Sequence, residues 1–473
     1  MFELELLAPA RNIEIGTAAI DCGADAVYIA GPDFGARQAA GNSVEDIARL
    51  CSYAHRFGAR VFLTINTIIY DQELDKAKQL IEDMEDAGAD AFIVQDLGIL
   101  QFNPKIPLHA STQCAIRTPE KARFYESLGF SRLVLERELS LDQIAAIRKA
   151  VNCELEFFVH GALCVCYSGE CYMSEFISGR SANRGACIQA CRSLYDLQDE
   201  DGKILAKNKA LLSLKDYELK NHLAELADAG ICSFKIEGRL KNISYVRNVV
   251  RDYSLALDRI IELNPDKYCR TSFGKVVKGF RPEVEKTFNR GYTELFINGN
   301  RGQWSSMEAT KSMGELIGTV QNIKHLNGST DISLTLKPSK TGIHLANGDG
   351  FAFIFQNSVV GFRGDVCEGN MIRCKSVQEL SVGAKLFRNI SADFEKELDA
   401  NKCVRLLSAR ISLSFNDGCL EASATSEDGR CVNKLYTLPS EIAENQDRMT
   451  SMLHSQLGKS SGLFDFIVDD ISG

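Results

Sequence analysis

The chain of 473 residues is 45% hydrophobic and 25% charged, with a formal net charge of −9. That length is too great for one ordinary core, so two or three domains are expected. The acidic balance excludes a basic whole-protein field that would draw nucleic acid without selectivity, and no apolar run is long enough to suggest a membrane-spanning helix. The opening, Met1 to Asn12, carries acidic residues and passes directly into a strand pattern. A leader and a membrane partner are therefore not expected, and the expected location is cytoplasmic.

Eight short apolar runs follow one another up to Arg239. They are Leu4–Pro9, Ala26–Gly31, Arg60–Asn66, Ala91–Asp96, Ile106–Ser111, Arg132–Arg137, Leu155–Gly161 and Ser233–Arg239. Helix-length amphipathic stretches lie between most of them, for example Val44–Gly58 and Asp75–Asp90, with apolar spacings of three and four. Gly23, Gly88 and Gly129 each end a helix just before a strand, where a left-handed C-cap is expected. Continuous apolar strands alternating with helices predict a parallel sheet covered by helices, and eight units predict a (β/α)8 TIM-like barrel. An open doubly wound sheet is the alternative, weakened because no glycine-rich dinucleotide fingerprint follows the first strand. In a barrel the strand C-termini face the active site. His160, Lys235, Glu237, Arg239 and Arg137 are the candidate catalytic residues there, with the two arginines suited to clamp a carboxylate.

The barrel with its insertion is expected over 1–265, the insertion itself occupying 162–232, between the seventh and eighth strands. A polar connector is expected over 266–312, and its basic run, Lys275 to Arg290, reads as a solvated face. Short alternating strands with Asn-Gly and Asp-Gly turns then predict a small β-barrel domain over 313–392. A third β-rich module, cut short at the end of the chain, is expected over 393–473.

Sixteen cysteines are many for a chain of this kind. Where structural disulfides are uncommon, clustered cysteines point to metal binding or redox chemistry. Cys164, Cys171, Cys187 and Cys191 are separated by six, fifteen and three residues, and Cys166 is a fifth close candidate. Four thiolates satisfy either an iron–sulfur cluster or zinc, and the spacing leaves both open. Arg180, Arg184 and Arg192 would offset the charge of such a centre, and the intervening glycines suit a loop folded tightly around it. A Cys164 nucleophile activated by His160 is a further arrangement the residues permit.

The runs Glu156–Cys164 and Tyr167–Ser174, the stretch Asn183–Cys187 with Cys191-Arg192, Phe234–Lys241, and the opening Leu7–Ala10 together resemble the signature of peptidase family U32. The β-modules after the barrel are similar to those of the family's 23S rRNA 5-hydroxycytidine synthase group. The resemblance implies a [4Fe–4S] cluster on Cys164, Cys171, Cys187 and Cys191, with Cys232 the local candidate if a ligand lies further downstream; zinc is the alternative metal. It implies hydroxylation of a cytidine in 23S rRNA, with prephenate as the small anionic co-substrate and an electron-transfer partner. Other members imply the alternatives: a collagenase-like peptidase, or a hydroxylase of tRNA or of a quinone ring.

Overall fold

The computed structural model describes residues 1–36, 41–305, 307–338, 342–416, 418–438 and 445–472. The predicted strands all form: β1 (Phe2–Pro9), β2 (Ala26–Ala30), β3 (Arg60–Ile65), β4 (Ala91–Val94), β5 (Leu108–Ala110), β6 (Arg132–Val134) and β7 (Glu154–Gly161). The insertion follows with a short helix, a hairpin of β8 (Tyr195–Gln198) and β9 (Ile204–Lys209), and β10 (Asp216–Glu218). The eighth barrel strand is β11 (Ser233–Ile236). It pairs in parallel with both β7 and β1, so the sheet closes on itself. The other barrel neighbours are parallel as well. The open doubly wound alternative is thereby excluded.

The helices start where short polar side chains cap them. α1 (Ile13–Asp21) begins at Asn12, whose side chain accepts from the Ile15 amide, and α2 (Val44–Ala54) begins at Ser43 in the same way. α3 (Leu74–Asp86) and α4 (Pro119–Ser127) follow, and α5 (Leu141–Arg148) opens with a capping box of Ser140 and Gln143. Gly23, Gly88 and Gly129 take the positive φ expected of C-caps. The β4–β5 connection is a 3-10 turn, Leu97–Phe102, in place of a full helix.

Inside the barrel, below the mouth, lies a buried ionic layer. Arg132 pairs with Glu5 at 2.5 Å and with Glu156 at 3.2 Å, and Lys235 donates to Glu156 at 2.6 Å. Such charges are tolerated only because each is paired, and removing one leaves the others stranded.

The long helix that ends the barrel is α8 (Ile243–Leu263), after α6 (Met173–Ser178) and α7 (Leu223–Asp228) in the insertion. The stretch expected to be a polar connector is woven into the fold. β12 (Tyr268–Arg270) pairs with β1, and β14 (Tyr292–Thr293) pairs with β10. Phe280, Leu295 and Ile297 are buried in the barrel's own apolar cluster. The basic run is only partly solvated, because Arg290 is buried on Asp216 at 2.7 Å.

A seven-stranded antiparallel sheet, from β15 (Glu315–Leu326) to β21 (Lys385–Ile390), has a separate core that includes Ile317, Ile332, Phe351 and Leu386. After α9 (Ala392–Ala400), β22 (Val404–Asn416), β23 (Cys419–Ser426), β24 (Cys431–Thr437) and β25 (Phe464–Ser472) form the third module. β13 (Lys275–Lys278) joins that sheet by pairing with β22. Arg405 reaches the carbonyls of Ile20 and Ala24, so the module is anchored on α1. No helix among the described residues is long and apolar enough to cross a membrane.

Candidate active site at the barrel mouth

The cysteine-rich insertion leaves the C-terminal end of β7 and folds over the loops that follow β3, β5 and β6. One turn makes several of the docking contacts, beside the Arg184 bonds to Glu73 and the Ile68 carbonyl. The Ser168 amide donates to Glu136 Oε1 at 3.0 Å, and the Ser168 hydroxyl faces Glu136 Oε2 at 3.4 Å. Thr112 and Arg137 both donate to the same hydroxyl at 3.3 Å. Gly169, at φ +79°, lies so close to the Gln113 carbonyl that a Cβ there would stand 2.1 Å from the oxygen. Glycine is required by both the dihedral and the approach.

Four of the five predicted catalytic side chains gather beneath this cover. Lys235 lies 4.5 Å from the Tyr28 ring and 5.3 Å from the Phe158 ring. The Arg137 guanidinium stacks on Phe158 at 4.0 Å and faces Glu237 at 3.5 Å. Arg239 donates to the Thr64 hydroxyl at 2.8 Å and lies 5.7 Å from Tyr28. Three cations thus surround two aromatic rings in one compartment. Burial lowers the Lys235 ammonium below its usual range, opposed by Glu156. Burial also works against the Arg137 charge, but Cys164, Glu237, Glu136 and Glu138 raise its pKa overall. Gln95 Oε1, Arg137 Nε and Glu138 Oε2 are buried without a hydrogen-bond partner among the described residues. Such orphaned atoms suit a polar ligand.

His160 stands apart from this group. Its ring is enclosed by Tyr245, Tyr253 and Tyr292, and its Nδ1 faces the Tyr253 hydroxyl at 3.3 Å. Burial, with Lys220, pushes its pKa down to about 3. An irregularity in the β7–β11 register lies beside it, and Gly161, at φ +105°, lets β7 pass the Glu237 carbonyl. No hydrogen bond joins the His160 ring to Cys164 among the described residues, and its partners are the three tyrosines.

Glu136, at the end of the Arg132–Arg137 run, is a strongly perturbed acid at the mouth. Burial and the neighbouring Glu138 carboxylate raise its pKa to about 8. A carboxyl that is largely protonated near neutral pH can give or take a proton in a reaction.

Cys164, Cys171, Cys187 and Cys191 all lie in the insertion. Burial raises the Cys191 pKa, and the nearby Cys164, Cys187 and Cys171 add to it, so the four thiols sense one another. Cys166 is pushed up to about 11 by burial, Cys171 and Cys164. The Gln189 amide donates to Cys187 Sγ at 3.3 Å, and Arg137 and Arg192 lie within electrostatic reach of Cys164. This donor set, thiols with an N–H donor and flanking cations, fits a thiolate-bound cluster in its chemistry. No three His, Cys, Asp or Glu side chains among the described residues converge on a single ion position. Cys232 is at the opposite end of the barrel. It precedes β11, and its Sγ lies 3.4 Å from the Leu155 carbonyl at the start of β7. It cannot join a centre at the mouth.

A barrel covered by a cysteine-rich insertion after its seventh strand is thus the class this architecture defines. Residues 11–306 match peptidase family U32, and the chain belongs to that family. It is 44% identical over 468 residues to the 23S rRNA 5-hydroxycytidine C2501 synthase of Escherichia coli, covering 96% of this chain and 70% of that protein. It is 34% identical over 333 residues to tRNA hydroxylation protein P1 of Bacillus subtilis, covering 67% and 77%. It is 31% identical over 344 residues to a collagenase of Porphyromonas gingivalis, covering 69% and 81%.

Proposed function

We propose that this chain is an RNA-modifying enzyme that hydroxylates C5 of a cytidine in 23S rRNA. The observation that carries the reading is the 44% identity to the E. coli synthase across 96% of the chain, which runs through the barrel, the insertion and both β-modules. The peptidase reading has less support, because the His160 ring packs on Tyr253 and hydrogen-bonds its hydroxyl, with no hydrogen bond to Cys164 among the described residues.

The target base would enter at the C-terminal mouth, where Glu136, Arg137, Lys235, Glu237 and Arg239 stand. Arg137, Lys235 and Arg239 would hold a small dicarboxylate such as prephenate against Tyr28 and Phe158. A guanidinium binds a carboxylate with two parallel hydrogen bonds, and the low dielectric of the covered mouth strengthens each one. Glu136, protonated below about pH 8, would hold the proton that the reaction moves. Cys164, Cys171, Cys187 and Cys191 would hold a [4Fe–4S] cluster, which supplies one-electron chemistry when bound.

The test is mass spectrometry of 23S rRNA from cells with and without the gene. Loss of one hydroxycytidine on deletion is the expected result. Unchanged hydroxycytidine would sink the reading.

A further inference from the structure

We propose that the rim of the mouth is a stacking platform for unpaired RNA bases, built from Tyr70 with Arg184, Tyr167 with Arg117, and the exposed rings of Tyr172 and Phe176. The proposal rests on the hydroxylase reading for its ligand and deepens it, since it assigns how the strand around the target base is held.

Phe176 is 93% exposed and Tyr172 67%, both at the short helix α6 of the insertion. Large rings left in water at that level are not core residues and contribute nothing to the barrel's packing. Tyr70, on the loop after β3, is 53% exposed, and Tyr167 is 42% exposed. Each of these two tyrosines carries an arginine on its face. The Arg184 guanidinium lies 4.0 Å over the Tyr70 ring and pairs with Glu73 at 2.7 Å. The Arg117 guanidinium lies 4.0 Å over Tyr167 and faces Glu170 at 3.6 Å. The Glu73 hydrogen bond holds the Arg184 stack before any ligand arrives, whereas Glu170 stands only within ion-pair distance of Arg117. Tyr167 also lines a cleft of about 700 Å³ whose wall includes Glu138, Cys166 and Phe296.

This chemistry selects its partner. Flat rings accept any base by its π-face, and guanidinium planes add cation–π attraction and a charge for the adjoining phosphate. A paired duplex hides its base faces and would gain only the phosphate term. A membrane surface would call for an apolar face ringed by lysines, yet the stretch 162–192 has no lysine, three arginines and two glutamates. With a whole-chain charge of −9, stacking must supply much of the affinity.

Fluorescence anisotropy of the full chain tests this with a short unpaired RNA oligonucleotide and with the same strand annealed to its complement. Wild-type protein should prefer the single strand. Tyr172→Ala with Phe176→Ala should weaken that binding by roughly tenfold per ring lost, while Tyr172→Phe keeps it. Arg184→Lys, which keeps the charge and loses the plane, should fall between them. Equal binding of wild type and the double variant, no binding by wild type, or no preference for the single strand would overturn the proposal. Loss of rRNA hydroxylation activity with ring-dependent binding intact would sink the functional reading alone. Hydroxylation intact with ring-independent binding would sink the platform alone.

Discussion

Replacing Gly169 by alanine should loosen the docking of the Ser168 turn, and with it the cysteine-rich segment, while leaving the barrel folded. Gly169 holds φ +79°, and an alanine Cβ would meet the Gln113 carbonyl at 2.1 Å. Relief to an ordinary contact needs a displacement of about 1 Å, more than a packed turn gives without moving. The left-handed conformation alone costs a non-glycine residue roughly 1–2 kcal/mol. The displacement would also break the Ser168 contacts to Glu136, worth about 1 kcal/mol each. The docked state should therefore lose about 3–4 kcal/mol by the sum of these terms. Gly179 is the internal control. It too has a positive φ, +67°, but nothing lies within 4 Å of its Cβ position. Gly179→Ala should cost only the conformational part, roughly 1–2 kcal/mol. Hydrogen exchange of the amides from Leu163 to Arg192 reads the docking directly, with the barrel amides as reference. Equal protection in the two variants, or loss of barrel protection in Gly169→Ala, would contradict this role of Gly169.

Iron content of anaerobically purified protein should fall on changing any of Cys164, Cys171, Cys187 or Cys191 to serine, and should hold in Cys166→Ser and Cys232→Ser. Equal iron in all six variants would contradict the ligand set. The Glu136 carboxyl has a folded value of about 8, above its ordinary 4.5, so ionising it costs the fold. That penalty is absent below the ordinary value, grows as pH rises, and is complete above about 8. The Tm of Glu136→Gln relative to wild type should therefore rise with pH across that window, and a flat difference would contradict the assignment. Arg132→Met leaves the buried Glu5 and Glu156 carboxylates with only Arg60 and Lys235 as cationic partners and should cost about 3–5 kcal/mol in urea unfolding, against little change for an exposed arginine such as Arg49. Lys235→Met should raise the concentration of dicarboxylate needed for half-maximal rate, and an unchanged KM would remove Lys235 from the anion site.

The barrel was legible because its signals are local. The runs at Ala26–Ala30 and Ala91–Val94 are apolar throughout because both faces of a parallel strand are covered, and Gly23, Gly88 and Gly129 mark helix ends by their backbone requirement alone. The polar connector was misjudged because Phe280, Leu295 and Ile297 are spaced without period, so only tertiary contact reveals them as core. His160 looked like a mouth residue from its place at the end of β7. The irregularity beside it and the rings of α8 decide otherwise, and neither is written in the residues around it. Lys235 read as a ligand-binding cation, and its ion pair with Glu156 came from a register between β7 and β11 that spacing does not fix. Glu136 owes its high pKa to burial and to the neighbouring Glu138 carboxylate, and the Ser168 amide, far along the chain, opposes that rise, so the balance is set by tertiary contact. The four cysteines were legible as a set, since five thiols in one short stretch need no tertiary information to stand out.

The central claim is that the chain adds a hydroxyl to a cytidine of ribosomal RNA. Its most direct test is expression of this chain in bacteria lacking their own 23S rRNA hydroxycytidine synthase, followed by nucleoside mass spectrometry of the rRNA. The account predicts that the wild-type chain restores one hydroxycytidine and that the variant lacking Cys164, Cys171, Cys187 and Cys191 does not. Unmodified cytidine in cells that hold the folded wild-type chain, or full modification by the cysteine-free variant, would contradict it.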